Sequence, residues 1–295
     1  MKVISLFDGI SCARVALERV KLPVETYIAC EVDKYATQIS NKNYQDIIRG
    51  GDVRGMGAQW LVDNAYDLYK VDLLIGGSPC QDLSIAKKDR KGLDGERSGL
   101  FWEYARILRE VKPKYFILEN VASMHGQDKN VITRELGVAP VLLDAKDFGA
   151  CERPRLFWTN IPVQLPSKNK AVLKDIINWG DIHKKIHVEN PVPTKRGIKW
   201  DKSGKGYFSQ QDRAYSVLGK HPTLPKSRLI TKVNVLAENG EVFVLNWDEI
   251  EKLQGLPVGY TDLGKDNRIE ACGGVIGNAF NVDVVAHILS FIPNA

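Results

Sequence analysis

Apolar and polar residues follow two rhythms along the first half of the chain. Short runs rich in branched residues, KVISLF (2–7), ETYIACE (25–31), VDLLIG (71–76), KYFILEN (114–120) and APVLLDA (139–145), read as buried strands. Between them apolar positions recur every three or four residues, as in CARVALERV (12–20) and LFWEYARILREV (100–111), which predicts amphipathic helices. Strands alternating with helices imply an α/β fold, a doubly wound, mostly parallel sheet. Ligands in such sheets bind outside the carboxyl ends of the strands.

After PRLFWTNIP (154–162) the alternation stops. Residues 163–245 are basic and punctuated by Pro and Gly, and they predict a small irregular second region. Helical patterns return at NWDEIEKLQGLPVGY (246–260) and close the chain at NVDVVAHILSFI (281–292). The expected organisation is a large α/β domain over 1–162, the irregular region over 163–245, and a segment over 246–295 that packs back on the large domain.

With 26% charged and 44% hydrophobic residues in 295, the composition is that of a globular protein. No apolar run approaches the roughly 20 residues that span a bilayer, and MKVISLF turns acidic at Asp8 without a signal-peptide pattern. Cys12, Cys30, Cys80, Cys151 and Cys272 are scattered without a CxxC pair. That argues against a disulfide framework or a metal site and for a reducing cytoplasm. The net charge of +5 is uneven: residues 184–232 carry twelve Lys or Arg against Glu189, Asp201 and Asp212, a local +9 against −4 for the remainder. Trp200, Tyr207, Phe208 and Tyr215 interleave with these charges, which suits a surface that grips phosphates.

The candidate chemistry gathers at strand ends. GGSPCQDLS (76–84) sets Cys80 after two glycines and a proline, either a buried cysteine in a tight turn or a positioned nucleophile. SLFDGISCARVAL (5–17) opens a helix after the first strand but lacks the G-x-G-x-x-G of a dinucleotide loop. Asp8, Glu31 and Asp52 end three strands, an arrangement that suits a cofactor with a ribose and an adenine amine better than one with a pyrophosphate. ILENV (117–121) ends a strand with Glu119 and Asn120, and ERPRLFWTN (152–160) places Arg153 and Arg155 two apart at a strand start, hence on one face.

Together, and in this order, these stretches resemble the DNA cytosine-5 methyltransferases over nearly the whole chain. FDGIS resembles the cofactor loop, EVDKYA and GDV its ribose and adenine acids, GSPCQDLS the nucleophile loop, ENV the catalytic acid and RPR the Arg-x-Arg motif. LQGLP (253–257) and GNAFNVDVV (277–285) resemble the last two blocks. RPRLFWTNIP and GLPVGYTD look most like the animal de novo enzymes and their phage and bacterial relatives. Ser78, Ser11, Ala13 and the reduced CERPR depart from the common pattern without removing a catalytic residue.

The resemblance implies a class I methyltransferase fold with a small target-recognition domain. It implies S-adenosylmethionine held by Phe7, Asp8, Gly9, Ile10, Glu31, Val32, Asp52, Val53, Pro79, Asn278 and Ala279. Cys80 would add to C6 of a flipped-out cytosine, making C5 nucleophilic enough to take the methyl group. Glu119 would be protonated or share a proton with N3, while Arg153 and Arg155 hold the O2 carbonyl and position Glu119. The charged loop after Cys80 resembles a lid, with Ser84, Lys87 and Lys88 toward DNA. In the basic region Lys226, Arg228 and Lys232 would face a groove of double-stranded DNA. A homodimer is suggested through 255–268, with Asp262 and Arg268 exchanging contacts across the two-fold. The motifs leave open a tRNA cytosine-5 methyltransferase of the same fold and a catalytically silent DNA-binding relative. They leave open the target sequence as well, for which the subgroup suggests CpG.

Overall fold

The computed structural model describes residues 1–67, 70–79, 98–201, 212–224, 233–264 and 275–293. The chain divides into two units: residues 1–144, 154–165 and 284–295 form the first, and residues 145–153 and 166–283 the second.

The first unit is built on a seven-stranded sheet of order β3-β2-β1-β4-β5-β7-β6. Its strands are β1 (Lys2–Leu6), β2 (Thr26–Cys30), β3 (Ile48–Gly51), β4 (Leu73–Gly77), β5 (Tyr115–Val121), β6 (Val141–Asp144) and β7 (Pro154–Thr159). All five runs expected from the hydrophobic pattern are strands, with ends moved by one or two residues. They were legible because parallel strands are covered on both faces and so read as continuous apolar runs: Val3, Ile4, Ser5 and Leu6 are all buried. Only β7 runs antiparallel to its neighbours, inserted between β5 and β6.

Strand order reverses at β1, with β2 on one side and β4 on the other, both parallel to it. The crevice at such a reversal is where doubly wound sheets bind ligands. Gly76 is needed here, because a Cβ would stand 2.9 Å from the Leu6 carbonyl oxygen and 3.2 Å from the Tyr104 ring. The helices are α1 (Cys12–Arg19), α2 (Lys34–Asn43), α3 (Ala58–Asp63), α4 (Phe101–Val111) and α5 (Gly126–Leu136). In α4 the residues Phe101, Tyr104, Ala105, Ile107 and Val111 form the buried stripe. They join a core that also contains Ile4, Leu6, Leu74, Leu118 and Trp158.

The second unit corrects one expectation. Its basic region is not irregular but carries a six-stranded sheet of order β8-β13-β12-β11-β10-β9. These are β8 (Lys184–Ile186), β9 (Val192–Thr194), β10 (Gly197–Lys199), β11 (Arg213–Ser216), β12 (Asn234–Leu236) and β13 (Val242–Val244). Strands of three or four residues are too short to display a two-residue period, which hid the sheet from the sequence. Trp200, Ala214 and Val242 form its small core. Residues 145–153 belong here because Lys220 and His221 hold them. The Lys220 ammonium donates to the Gly149 carbonyl (2.8 Å), and the His221 and Glu152 amides bond to Ala150 and His221 carbonyls. The unit is larger than the expected 163–245 segment. It includes α6 (Trp247–Leu253), and the chain returns to the first unit only at Val284, within α7 (Val282–Leu289).

Candidate active site

The turn after β1 is strained. Phe7, Gly9 and Ser11 all have left-handed backbones, with φ of 56°, 60° and 62°. For the two non-glycine residues this costs about 1–3 kcal/mol each and persists only where the surroundings hold it. Asp8 supplies the hold. Its amide bonds to the Cys30 carbonyl (3.0 Å), and its buried carboxylate accepts from the Ser11 hydroxyl (2.5 Å) and the Tyr27 phenol (2.7 Å). Ser11 is hydrogen-bonded to Ser40, which accepts from the Arg49 guanidinium (2.8 Å). Asp8 thus lies beneath the turn with its carboxylate inside the fold, rather than presenting it to a cofactor as expected. Tyr27, Ser40 and Arg49 were missed by sequence reasoning. The one available signal was serine at helix positions that turn inward.

Burial pushes the Asp8 carboxyl above its ordinary 3.8. Hydrogen bonds from Ser11 and Tyr27 and the charge of Arg49 pull the other way. Above pH 3.8 the unfolded chain gives up a proton that the native chain retains. The native state therefore binds more protons, and stability falls as pH rises through that window. Asp8→Asn should make this decline shallower in thermal melts from pH 4 to 8. An unchanged slope would mean that Asp8 titrates alike in both states.

Glu31 follows β2 and ties two strand ends together. One carboxylate oxygen accepts from the Gly9 amide (2.8 Å), the other from the Val32 (2.8 Å) and Asp33 (2.7 Å) amides. A carboxylate has about four acceptor positions, so one remains for a ligand hydroxyl. Burial raises the pKa of Glu31, and the three amides oppose that rise. Val32 beside it is 73% exposed, an apolar side chain available to a flat ligand. Asp52 follows β3 and caps a short helical turn through the Arg54 amide (2.9 Å), with Val53 buried behind it. Cys30, next to Glu31, is a rival nucleophile by position only. Burial and the acids Asp8, Asp52 and Glu31 push its thiol up to about 12.

β4 leads through Ser78 to Pro79. The Asn120 side chain donates to the Ser78 hydroxyl (3.0 Å) and carbonyl (3.3 Å), and its own oxygen accepts from the Val121 amide (2.8 Å). The departure at Ser78 thus gives Asn120 an additional acceptor. Glu119 and Asn120 lie at the end of β5, where the pattern placed them, and the strand runs one residue further to Val121. Glu119 is paired with Arg155, Oε1 to Nε at 2.7 Å, both side chains mostly buried.

Arg153 and Arg155 do not share a strand face. β7 begins at Pro154, so the two-residue period does not reach back to Arg153. Arg153 is buried in the second unit and donates to the carbonyls of Gly277 (3.1 Å) and Ala279 (2.7 Å). Its contacts make it a clamp on the GNAF turn that carries Asn278.

Several expected residues lie outside those described: Cys80, Ser84, Lys87 and Lys88 of the nucleophile loop, Lys226, Arg228 and Lys232 of the basic region, and Arg268. Asp262 accepts from the Gly264 amide (3.0 Å), and the two-fold contact expected of it rests on the sequence alone. Among the described residues no acidic, His and Cys cluster could hold a metal, and no helix is long and apolar enough to cross a membrane.

A doubly wound sheet with acids closing its first three strands and a Ser-Pro turn closing the fourth is that of a class I methyltransferase, and solved structures agree. Entamoeba histolytica methyltransferase EhMeth superposes with a TM-score of 0.69 at 17% identity, over 99% of this chain and 97% of that one. A triple mutant of Spodoptera frugiperda DNMT2 gives 0.67 at 16% identity, over 98% of each. The family model for C-5 cytosine-specific DNA methylases matches residues 1–294, and the chain belongs to that family. Among curated relatives it is 36% identical over 196 residues to the orphan methyltransferase M.SPRI of Bacillus phage SPR, covering 61% of this chain and 43% of that protein. It is 31% identical over 198 residues to the type II methyltransferase M.FnuDI of Fusobacterium nucleatum, covering 60% and 55%. The chain spans about half the length of these relatives.

Proposed function

We propose that the chain methylates C5 of cytosine in double-stranded DNA with S-adenosylmethionine as donor. The observation that carries the proposal is the Glu119–Arg155 pair on β5 and β7, next to the Asn120 side chain that grips the Ser78-Pro79 lead into Cys80. The strand-end residues fit the donor. Gly9 has nothing within 4 Å of the place a Cβ would take, Glu31 retains an acceptor position for a ribose hydroxyl, Val32 offers an exposed apolar face and Asp52 an acid for the adenine amine. When bound, S-adenosylmethionine supplies an electrophilic methyl group.

Cytosine C5 is too weak a nucleophile to take that methyl unaided. The Cys80 thiolate adds to C6, and the ring becomes an enamine that is nucleophilic at C5. Glu119 shares a proton with N3 and so spreads the charge that addition places on the ring. Arg155 positions Glu119. Loss of the C5 proton then expels the Cys80 thiolate and restores the ring. These atoms are inaccessible within a duplex, so the cytosine must be flipped out at a cost of a few kcal/mol.

Bisulfite sequencing of plasmid from cells expressing the protein tests the reading. Conversion-resistant cytosines in a recurring short context are expected, and they should vanish with Cys80→Ala. Resistance confined to tRNA would transfer the activity to RNA, and resistance nowhere would leave a silent DNA-binding relative.

A further inference from the structure

The Ser11 hydroxyl does not do what its position predicts. Ser11 is the N-cap of α1, where a serine side chain ordinarily accepts from an amide of the first turn while its backbone is extended. Here its side chain makes no capping bond, and its backbone is left-handed as part of the strained turn after β1. The hydroxyl is given to Asp8 Oδ2 instead (2.5 Å). Ser40 is a second polar group turned inward. It lies wholly buried on the face of α2 that also buries Ala36 and Ile39, and its hydroxyl meets that of Ser11. Arg49 approaches from β3, which lies beside β2 on the side away from β1, and its Nη2 donates to Ser40 Oγ (2.8 Å).

With Asp8 ionised, these bonds admit one arrangement of protons. A guanidinium only donates, so the Ser40 oxygen accepts from Arg49 and the Ser40 proton is left for Ser11. Ser11 accepts it and turns its own proton to the Asp8 carboxylate. The chain therefore runs one way, from Arg49 through two hydroxyls to Asp8, with a cation at one end and an anion at the other. Charged ends make the strong hydrogen bonds and polarise those between them. The carboxylate that ends the chain lies within the Phe7–Ser11 turn, and the amide of the next residue, Gly9, bonds to Glu31 (2.8 Å). We propose that Arg49 is a positioning residue for the cofactor: acting through Ser40 and Ser11, it fixes the Asp8 carboxylate and with it the Gly9–Glu31 arrangement that receives S-adenosylmethionine. This rests on the reading of S-adenosylmethionine as the donor.

The test is calorimetry of S-adenosylmethionine binding to the full chain, with steady-state kinetics beside it. Arg49→Met keeps most of the stem and removes the donor, and should weaken binding by about 5- to 100-fold, the scale of leaving buried polar groups unpaired. The loss should appear in the donor KM, with kcat at saturating donor close to wild type. Arg49→Lys retains a charged donor and should recover part of the affinity. A lower melting temperature with the Kd and KM of the folded protein unaltered would show Arg49 to be structural only, and overturns the proposal. Arg49→Met/Ser11→Ala should bind no worse than the weaker single variant, and losses that multiply overturn the route through Ser11. If Arg49→Met does not fold, Ser40→Ala decides, since it takes one oxygen out of the same chain: a comparable loss is expected, and an unchanged Kd overturns the proposal. A wild-type protein that binds no S-adenosylmethionine would defeat the donor reading and this inference with it. Wild-type binding that persists in these variants would defeat this inference alone.

Discussion

Cys80→Ala is expected to reduce methyl transfer to background, and with it a trapped complex on fluorinated DNA. The wild-type protein, given S-adenosylmethionine and a duplex carrying 5-fluorocytosine, should form an adduct that survives denaturation. The C5 hydrogen leaves as a proton only after the methyl has been added, and that loss expels Cys80. Fluorine cannot leave as a cation, so the thioether to C6 persists. None of the described cysteines can take over the step. Cys12, Cys30 and Cys151 are buried, and the Cys30 thiol, pushed up to about 12, is not a thiolate at neutral pH. An adduct in Cys80→Ala would refute the assignment. Trapping of fluorinated tRNA with the duplex spared would keep Cys80 and Glu119 in their roles and change the substrate.

What could be read from the sequence depended on how far apart the cooperating residues lie. The first unit's strands announce themselves because each is an apolar run covered on both faces, and Glu31 and Asp52 follow from strand ends alone. The Asp8 network did not, because its members come from the turn after β1 and from β2, α2 and β3, and are joined only by folding. Asp8 was read as an acid for the cofactor since a strand end is where ligands bind. Its burial comes from Tyr27 and Ser11, which pattern alone cannot place. Arg153 was misplaced by a single residue of register, since Pro154 rather than Arg153 opens β7. The second sheet escaped for a different reason, its strands being shorter than the period that would reveal them.

The second large effect concerns the pair that the register brings together. Arg155 lies opposite Val121 and Glu119 opposite Phe157, so the two are diagonal neighbours across β5 and β7. Arg155 Nε meets Glu119 Oε1 at 2.7 Å, while its Nη1 donates to the Pro154 carbonyl (2.9 Å). The guanidinium is thus held at both ends. Glu119→Gln keeps the shape and removes the exchangeable proton, and should lower kcat by about 10²–10⁴, the usual contribution of a positioned acid or base. Arg155→Met keeps length and bulk but leaves the carboxylate without its partner. The pair is mostly but not wholly dry, so solvent screens part of this loss. If Arg155 acts through Glu119, the double variant should be scarcely worse than Glu119→Gln alone, a coupling of about 1–3 kcal/mol. Binding of S-adenosylmethionine by calorimetry should be unchanged in all three, because neither residue belongs to the strand ends assigned to it. Losses in kcat that simply multiply would contradict the positioning role and put Arg155 on the base itself, at the O2 carbonyl.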